Sequence, residues 1–202
     1  MKPWLGLTAP LAQEIAEVLY QRAGTSRAWK LGALDTLTQR RLGLSGPVCI
    51  PLLDGAIETD VRETVVRLAD LVAPRFEAEI GIVFDGEALL GVPCVEVADC
   101  RFADWELPPF GMTVDLALQG RMIFGLPGDI QPEIEVVVTR DDDPVVSGRG
   151  SWVQAVARLS LLPDRSSVDQ VATGSITAML DCWPGRWDFN FGALGGITVT
   201  VF

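Results

Sequence analysis

An apolar segment at residues 76–84 is interrupted by only two carboxylates, Glu77 and Glu79. Its Phe, Ile and Val residues are typical of a buried strand, on which residues i and i+2 point to the same face. Two carboxylates side by side on such a strand repel each other and lose hydration, and a bound cation relieves both penalties. Glu96 lies in a second short apolar strand, and three oxygen donors on rigid strands suit a hard divalent ion such as Mg²⁺ or Mn²⁺. The alternative is a solvated strand face, which the surrounding apolar residues disfavour.

The length and composition describe one ordinary globular domain. The chain has 202 residues, of which 49% are hydrophobic and 21% charged. We expect a single domain over 1–202, with an N-terminal helical and lysine-bearing segment at 1–60 and a β-rich metal-binding core at 61–202. The sequence contains no apolar run long enough to cross a bilayer, and its N-terminus lacks the apolar core of a signal peptide, so we expect a cytoplasmic protein. The net charge of −11 argues against nucleic-acid and membrane partners.

The complete absence of histidine excludes several mechanisms. Ser-His-Asp and Cys-His chemistry and a histidine-ligated zinc site all require that residue. A general base must therefore be Lys, Asp, Glu, Tyr or an ordered water. The four cysteines form no Cys-x-x-Cys pair and are typical of buried thiols in a reducing compartment.

Periodicity and turn residues predict a mixture of helices and strands. Helices are predicted at 11–23, 60–72 and 152–161. Strands are predicted at 76–84, 93–98, 121–125, 133–139, 169–173, 187–191 and 197–202, with turns at 125–128 and 141–144. Few of these strands are separated by a single helix, so the pattern favours an α+β fold over a doubly wound parallel sheet.

Four motifs occur in one order along the chain. They are AWKLG at 28–32, EAEIGIV at 77–83, VEVADCRFADW at 95–105 and VATGSIT at 171–177. In this order the chain resembles the 2-keto-4-pentenoate hydratase and 4-oxalocrotonate decarboxylase family of the fumarylacetoacetate hydrolase superfamily. The resemblance covers roughly residues 11–202 and implies a mixed β-roll core of the superfamily's C-terminal type, with a few peripheral helices.

The resemblance also implies a site and a substrate class. Mg²⁺ or Mn²⁺ would bind the three glutamates, and Lys30 would take part in proton transfer on a 2-hydroxydienoate or its 2-oxo tautomer. Such an acid can chelate one ion, which stabilises an enolate as a Lewis acid. A cation and burial beside Trp29 would lower the pKa of Lys30. Read locally, the same lysine could simply extend along Trp29 to solvent.

Further residues are candidates for binding the substrate or supporting the ligands. The substrate-binding candidates are Leu31, Thr173, Gly174 and Ser175. Residues 173–175 could offer a hydroxyl and backbone N–H groups to a carboxylate, or form an ordinary turn. The candidates for orienting the ligands from behind are Asp99, Arg101 and Asp115. Asp99 and Arg101 would equally make a structural salt bridge.

The leading interpretation is a metal-dependent lyase, most closely a 2-keto-4-pentenoate hydratase. A 4-oxalocrotonate-type decarboxylase is the alternative enzyme, and a hydrolase of the wider superfamily is disfavoured because it would need histidine. A non-catalytic binding or partner subunit is the third candidate, since the link at 80–95 is shorter than in relatives, which insert a helix there. Where relatives have Asn and Ser, this chain has Leu116, Leu118 and Gln119, which predicts a preference for monoacids over diacids if the segment lines the pocket. The alternative is that Arg101 or Arg121 pairs with a second carboxylate. A positive mean hydropathy of +0.29 predicts a homo-oligomer.

Overall fold

The computed structural model describes residues 8–108 and 110–202, and within them the chain forms four α-helices and thirteen β-strands. The helices are α1 (Ala9–Ala23), α2 (Thr36–Leu42), α3 (Gly111–Val114) and α4 (Trp152–Arg158). The strands are β1 (Thr25–Gly32), β2 (Val48–Leu53), β3 (Ile57–Val61), β4 (Glu63–Val66), β5 (Pro74–Asp85), β6 (Ala88–Asp99), β7 (Gln119–Gly125), β8 (Glu133–Arg140), β9 (Asp143–Ser151), β10 (Gln170–Ser175), β11 (Leu180–Asp181), β12 (Gly185–Asn190) and β13 (Gly196–Val201).

The strands form two mixed sheets. The larger has the order β2-β1-β10-β5-β6-β7-β3, with β11 beside β5, and the smaller has the order β4-β13-β12-β8-β9. The pairs β1–β10, β3–β7 and β4–β13 are parallel, and the remaining pairs are antiparallel. This arrangement confirms the predicted α+β class with a mixed β-rich core. Strands β1 and β2, from the N-terminal segment, belong to the same sheet as β5 and β6.

Alternation along β5 separates the core from the candidate site. Phe76, Ile80 and Ile82 are buried in the main apolar cluster between the sheets. The Phe76 ring packs edge-on against Trp187 and Phe189, with ring centroids 5.3 Å apart in both pairs. Because successive side chains on a strand point to opposite faces, Glu77 and Glu79 project from the other side of the sheet. Burial of each of these apolar side chains contributes roughly 1.5–3 kcal/mol to the free energy of folding. Their burial therefore fixes the face of the sheet on which the acids lie.

Two of the three predicted helices are confirmed, and local capping explains both. Helix α1 begins after Thr8, whose hydroxyl accepts a bond from Leu11 N–H, and ends at Gly24. Helix α4 begins after Ser151, which caps Gln154 N–H, and continues as a short 3₁₀ turn to Leu161. The apolar side of α1 is unexpectedly exposed to solvent. Its exposed residues are Leu11, Ile15, Val18 and Leu19, whereas its buried ones are Ala12 and Ala16.

The prediction of a helix at 60–72 is wrong. The segment forms the end of β3, the strand β4 and a 3₁₀ turn at Leu68–Asp70. β3 pairs in parallel with β7, and β4 pairs in parallel with β13, more than a hundred residues away. The β-branched residues of this segment suit such pairing, and the distant partners override its helical periodicity.

The seven predicted strands are all present, and several additional ones were not predicted. β1, β2 and β9 are the longest of those missed. The predicted turn at 141–144 closes the β8–β9 hairpin, with Asp141 and Asp142 both at positive φ as a type I′ turn requires. The short link at 80–95 is a direct hairpin of β5 and β6, which turns at residues 86–87.

Candidate metal centre

The three predicted glutamate ligands lie together on one hairpin. Glu77 on β5 is directly opposite Glu96 on β6, and Glu79 is two residues further along β5 on the same face. One carboxylate oxygen from each of the three lies within 4.8 Å of the others. Glu79 and Glu96 are 1% and 2% exposed, and Glu77 is half-buried. The same-face geometry inferred from the sequence therefore produces a compact, largely buried carboxylate cluster.

Crowding and burial raise the proton affinity of this cluster. Burial, followed by the charge of Glu96, raises the pKa of Glu77 to about 7, although Lys30 opposes this rise. Burial, followed by Glu96 and Glu77, also raises the pKa of Glu79 well above its usual range. The carboxylates therefore compete for too little positive charge, which is the situation that a divalent cation relieves.

Lys30 brings one positive charge to the cluster from β1. Its ammonium is paired with Glu96 Oε1 and also donates to the Ala117 carbonyl at 2.8 Å, and the residue is only 5% exposed. It therefore does not extend to solvent along Trp29. Burial lowers the pKa of Lys30, but the neighbouring carboxylates, above all Glu96, outweigh burial and leave this pKa raised. The expected lowering would need the additional positive charge of a bound ion.

The backbone that holds Lys30 is strained. Leu116, Ala117 and Leu118 all have positive φ values, of 48°, 54° and 65°. Non-glycine residues rarely adopt this conformation, and each instance costs on the order of 1–3 kcal/mol. The turn directs the Ala117 carbonyl at the Lys30 ammonium, while Leu116 and Leu118 are buried and only 8% and 7% exposed.

The four substrate-binding candidates all make contacts within the protein itself. The Thr173 hydroxyl donates to the Ile80 carbonyl at 2.7 Å, and Gly174 N–H donates to Glu79 Oε2 at 2.7 Å. The Ser175 hydroxyl donates to the Thr177 carbonyl at 2.8 Å. The Leu31 side chain is fully buried in the main core. Gly174 therefore orients a predicted metal ligand, and the substrate contacts of these residues stay a prediction.

Asp99, Arg101 and Asp115 form a network behind the strained turn. Arg101 Nη1 contacts Asp115 Oδ1 at 3.2 Å, and its Nη2 donates to the Gln119 carbonyl. Asp99 lies 4.0 Å from Arg101 and accepts backbone N–H bonds from residues 72 and 73. The network thus holds both ends of the turn that carries Ala117, and it reaches the cluster through Lys30. This differs from the position directly behind Glu96 that the sequence predicts for Asp99 and Arg101.

The donor set fits a divalent cation by an observation independent of any motif. Glu96 Oε2 is buried and has no hydrogen-bond partner among the described residues. An unpaired buried carboxylate oxygen costs more than a typical hydrogen bond contributes. A cation among the three glutamates would supply the missing partner, and carboxylate oxygens are the ligands that hard divalent ions prefer.

Sequence reasoning missed two features at this site. The first is the Ala117 carbonyl, because a backbone acceptor carries no sequence signal. The second is Arg75, which lies on the same face of β5 as Glu77 and Glu79. The predicted strand began at residue 76, whereas β5 begins at Pro74. With the observed boundary, alternation places Arg75 beside the acids.

The chain is similar to known proteins in its structure. No family model matches the chain, and no curated protein matches it. The solved structure of 4-oxalocrotonate decarboxylase from Pseudomonas putida G7, complexed with magnesium and adipate, is similar with a TM-score of 0.76. The match has 22% identity and covers 98% of this chain and 87% of that one. A second structure of that enzyme, complexed with calcium and acetate, has a TM-score of 0.75 at 22% identity, covering 97% and 86%.

A more distant likeness extends to another enzyme. The 5-carboxymethyl-2-hydroxymuconate delta-isomerase from Mycobacterium smegmatis has a TM-score of 0.57 and 14% identity, covering 86% of this chain and 75% of that one. At these identities the likeness concerns the fold. The chain therefore shares its fold with 4-oxalocrotonate decarboxylase, which agrees with the predicted mixed β-rich α+β architecture.

Proposed function

We propose that the protein is a metal-dependent lyase acting on a 2-oxo acid or its 2-hydroxydienoate tautomer. The observation that carries the proposal is the buried carboxylate cluster. In it Lys30 neutralises one oxygen of Glu96, and the other oxygen has no hydrogen-bond partner in the described part of the chain. Glu77, Glu79 and Glu96 would hold Mg²⁺ or Mn²⁺. The fold shared with 4-oxalocrotonate decarboxylase supports this assignment. The expected partners are a small 2-oxo acid and further copies of the chain.

The ion, when bound, supplies Lewis acidity toward the ketone and carboxylate oxygens of such a substrate. The chain supplies proton transfer at Lys30 Nζ. Without a bound ion the carboxylates keep the pKa of Lys30 raised, so the side chain is an ammonium ion that can donate a proton. A bound ion would lower this pKa toward the range that proton transfer requires. Ala117 and Glu96 fix the position of this ammonium, so that it can meet only a substrate that reaches the cluster.

Two lyase reactions share this machinery. A hydratase acting on a monoacid was predicted from Leu116 and Leu118, on the condition that their segment lines the pocket. Both side chains are buried, and the atom of this segment that contacts Lys30 is the Ala117 carbonyl. Decarboxylation of a diacid is the second candidate reaction. It is supported by the fold shared with a decarboxylase that was solved in complex with the diacid adipate. A hydrolase remains disfavoured on the absence of histidine.

The test is a panel of substrates monitored by ultraviolet absorbance with Mg²⁺ or Mn²⁺ present. We expect metal-dependent loss of the dienoate signal for 2-hydroxypenta-2,4-dienoate or 4-oxalocrotonate, and release of CO₂ distinguishes decarboxylation. Glu96→Gln should abolish turnover, whereas Glu133→Gln, which changes an exposed strand residue, should not. Binding of the ion without turnover of any 2-oxo acid would refute an enzymatic function. It would favour the alternative of a non-catalytic binding or partner subunit.

The described residues include no helix that is both long and apolar enough to span a membrane.

A homo-oligomer stays part of the proposal. The exposed apolar side of α1 supports it, since a solvated apolar stripe on a helix is commonly covered by a partner.

A further inference from the structure

Arg75 lies at the rim of the carboxylate cluster, on the face of the sheet that carries it. It is the residue two before Glu77 on β5 and is paired across the hairpin with Ala98, which is two after Glu96. Residues i and i+2 on a strand are about 6.6 Å apart. The guanidinium therefore extends the row of acids by one position, toward the half-buried end of the cluster.

The Arg75 side chain is held in one orientation. Its guanidinium lies over the Trp105 ring, 4.4 Å from the centroid, and Trp105 is itself fixed by donating to the Ala73 carbonyl at 3.0 Å. A cation held over an aromatic face loses little further freedom when it binds an anion. Trp105 also packs against the cluster of residues that includes Ala117, so the arginine borders the turn that covers Lys30.

The present anion partner of Arg75 is readily exchanged. Arg75 Nε contacts Asp181 at 2.9 Å, but the Asp181 side chain is 59% exposed. Exposed ion pairs contribute little to stability, so a carboxylate from a ligand can replace Asp181 at small cost. Among the described residues, Arg75 Nη2 makes no hydrogen bond, and a ligand carboxylate would therefore gain a bidentate partner.

The other arginines near the site are engaged. Arg101 is bound within the network at Asp115 and Gln119. Arg121 is paired with Glu58 and donates to the Val65 carbonyl, on the opposite face of the sheet from Glu96. Arg75 is thus the arginine whose position and contacts allow it to meet an acid bound at the cluster.

We propose that Arg75, stacked on Trp105, forms a subsite for the distal carboxylate of a linear dicarboxylic acid whose other end binds at the glutamate cluster. The inference rests on the proposed function, because the 2-oxo acid end must reach the metal centre. An extended six-carbon diacid separates its carboxylates by a distance comparable to the spacing of Arg75 and Glu77. The subsite selects diacids over monoacids and reverses the preference expected from Leu116 and Leu118.

The test compares the binding of adipate and hexanoate to the whole protein with saturating Mg²⁺, by calorimetry. We expect adipate to bind about fivefold more tightly than hexanoate, which is the upper range for an ion pair with a partly exposed arginine. Arg75→Gln should remove that difference by weakening adipate alone, whereas Asp181→Asn should tighten adipate alone. The controls Arg27→Gln and Asp169→Asn alter a comparable exposed pair away from the cluster and should change neither ligand.

The outcomes separate this inference from the proposed function. Wild-type protein that binds neither Mg²⁺ nor either acid would contradict the proposed function itself. Protein that binds Mg²⁺ and both acids equally would overturn the Arg75 subsite alone. Retention of the adipate preference in Arg75→Gln would also overturn it, as would equal loss of both acids with Mg²⁺ affinity intact. If Arg75→Gln does not fold, Asp181→Asn decides, and an unchanged adipate affinity would overturn the inference.

Discussion

The raised pKa of Glu77 predicts that the metal-free protein loses stability as the pH rises. Its pKa is about 7 in the folded chain, against an ordinary value of 4.5. The folded state therefore holds this proton more tightly than the unfolded state does. The stabilisation is complete below about pH 4.5 and is lost as the pH rises to about 7.

The size of the effect follows from the same two values. A pKa difference of this magnitude corresponds to about 3 kcal/mol of unfolding free energy. For a chain of this length that lowers the melting temperature by roughly 6 to 12 °C. Glu79, whose pKa is also raised, adds a change of the same sign. A divalent ion binds the ionised carboxylates, so its stabilising effect should grow over the same pH range.

The assay is thermal unfolding between about pH 5 and pH 8, with a chelator and with millimolar Mg²⁺. Glu77→Gln replaces the carboxyl by a neutral group of the same shape, so its curve in chelator should be flatter than that of the wild type. It should also lose most of the stabilisation by Mg²⁺ at high pH. Exposed Glu133→Gln serves as the control. A wild-type slope in Glu77→Gln, or a stabilising effect of Mg²⁺ that does not grow with pH, would refute the reasoning.

Three further predictions concern the lysine, the glycine behind Glu79 and assembly. Lys30→Met should preserve ion binding but abolish turnover, and near-normal turnover would exclude a role in proton transfer. The same change should destabilise the metal-free protein by about 3 kcal/mol, because Glu96 loses a buried partner. Gly174→Ala should weaken ion binding measured by calorimetry, since Gly174 has φ of +95° and a Cβ there would overlap the Leu34 side chain. Gly43→Ala, with φ of +67° and open space around it, is the matched control for backbone strain and should leave ion binding unchanged. Light scattering at micromolar concentration should show a homo-oligomer, and a monomer would contradict the role inferred for the apolar side of α1.

The sequence was sufficient where the decisive contacts are local. Helix α1 could be predicted because its apolar period and its C-terminal Gly24 are local signals, and its Thr8 cap agrees with them. The glutamates could be grouped because alternation on a strand fixes the faces of Glu77 and Glu79. Their meeting with Glu96 then needs only the hairpin that the chain forms at that point.

The rest depends on pairing between distant segments, which periodicity cannot show. Residues 60–72 carry an apolar period close to that of a helix, yet β3 and β4 obtain their hydrogen bonds from β7 and β13. Lys30 reaches the acids because β1 pairs in parallel with β10, across a separation of about 140 residues. Only the order of the motifs pointed to that lysine. No local pattern could reveal that its second partner is the backbone of Ala117.

The hairpin of β5 and β6 also has a consequence for how the chain acquires its structure. Contacts between neighbouring segments form early in folding, because little chain entropy is lost in closing them. The β5–β6 hairpin places Glu77 directly opposite Glu96. If it forms first, the repulsion between the two acids arises before the rest of the sheet has assembled. A divalent ion present during refolding would remove that repulsion in the transition state. It would then accelerate refolding in addition to slowing unfolding, and the metal centre would serve as part of the folding nucleus.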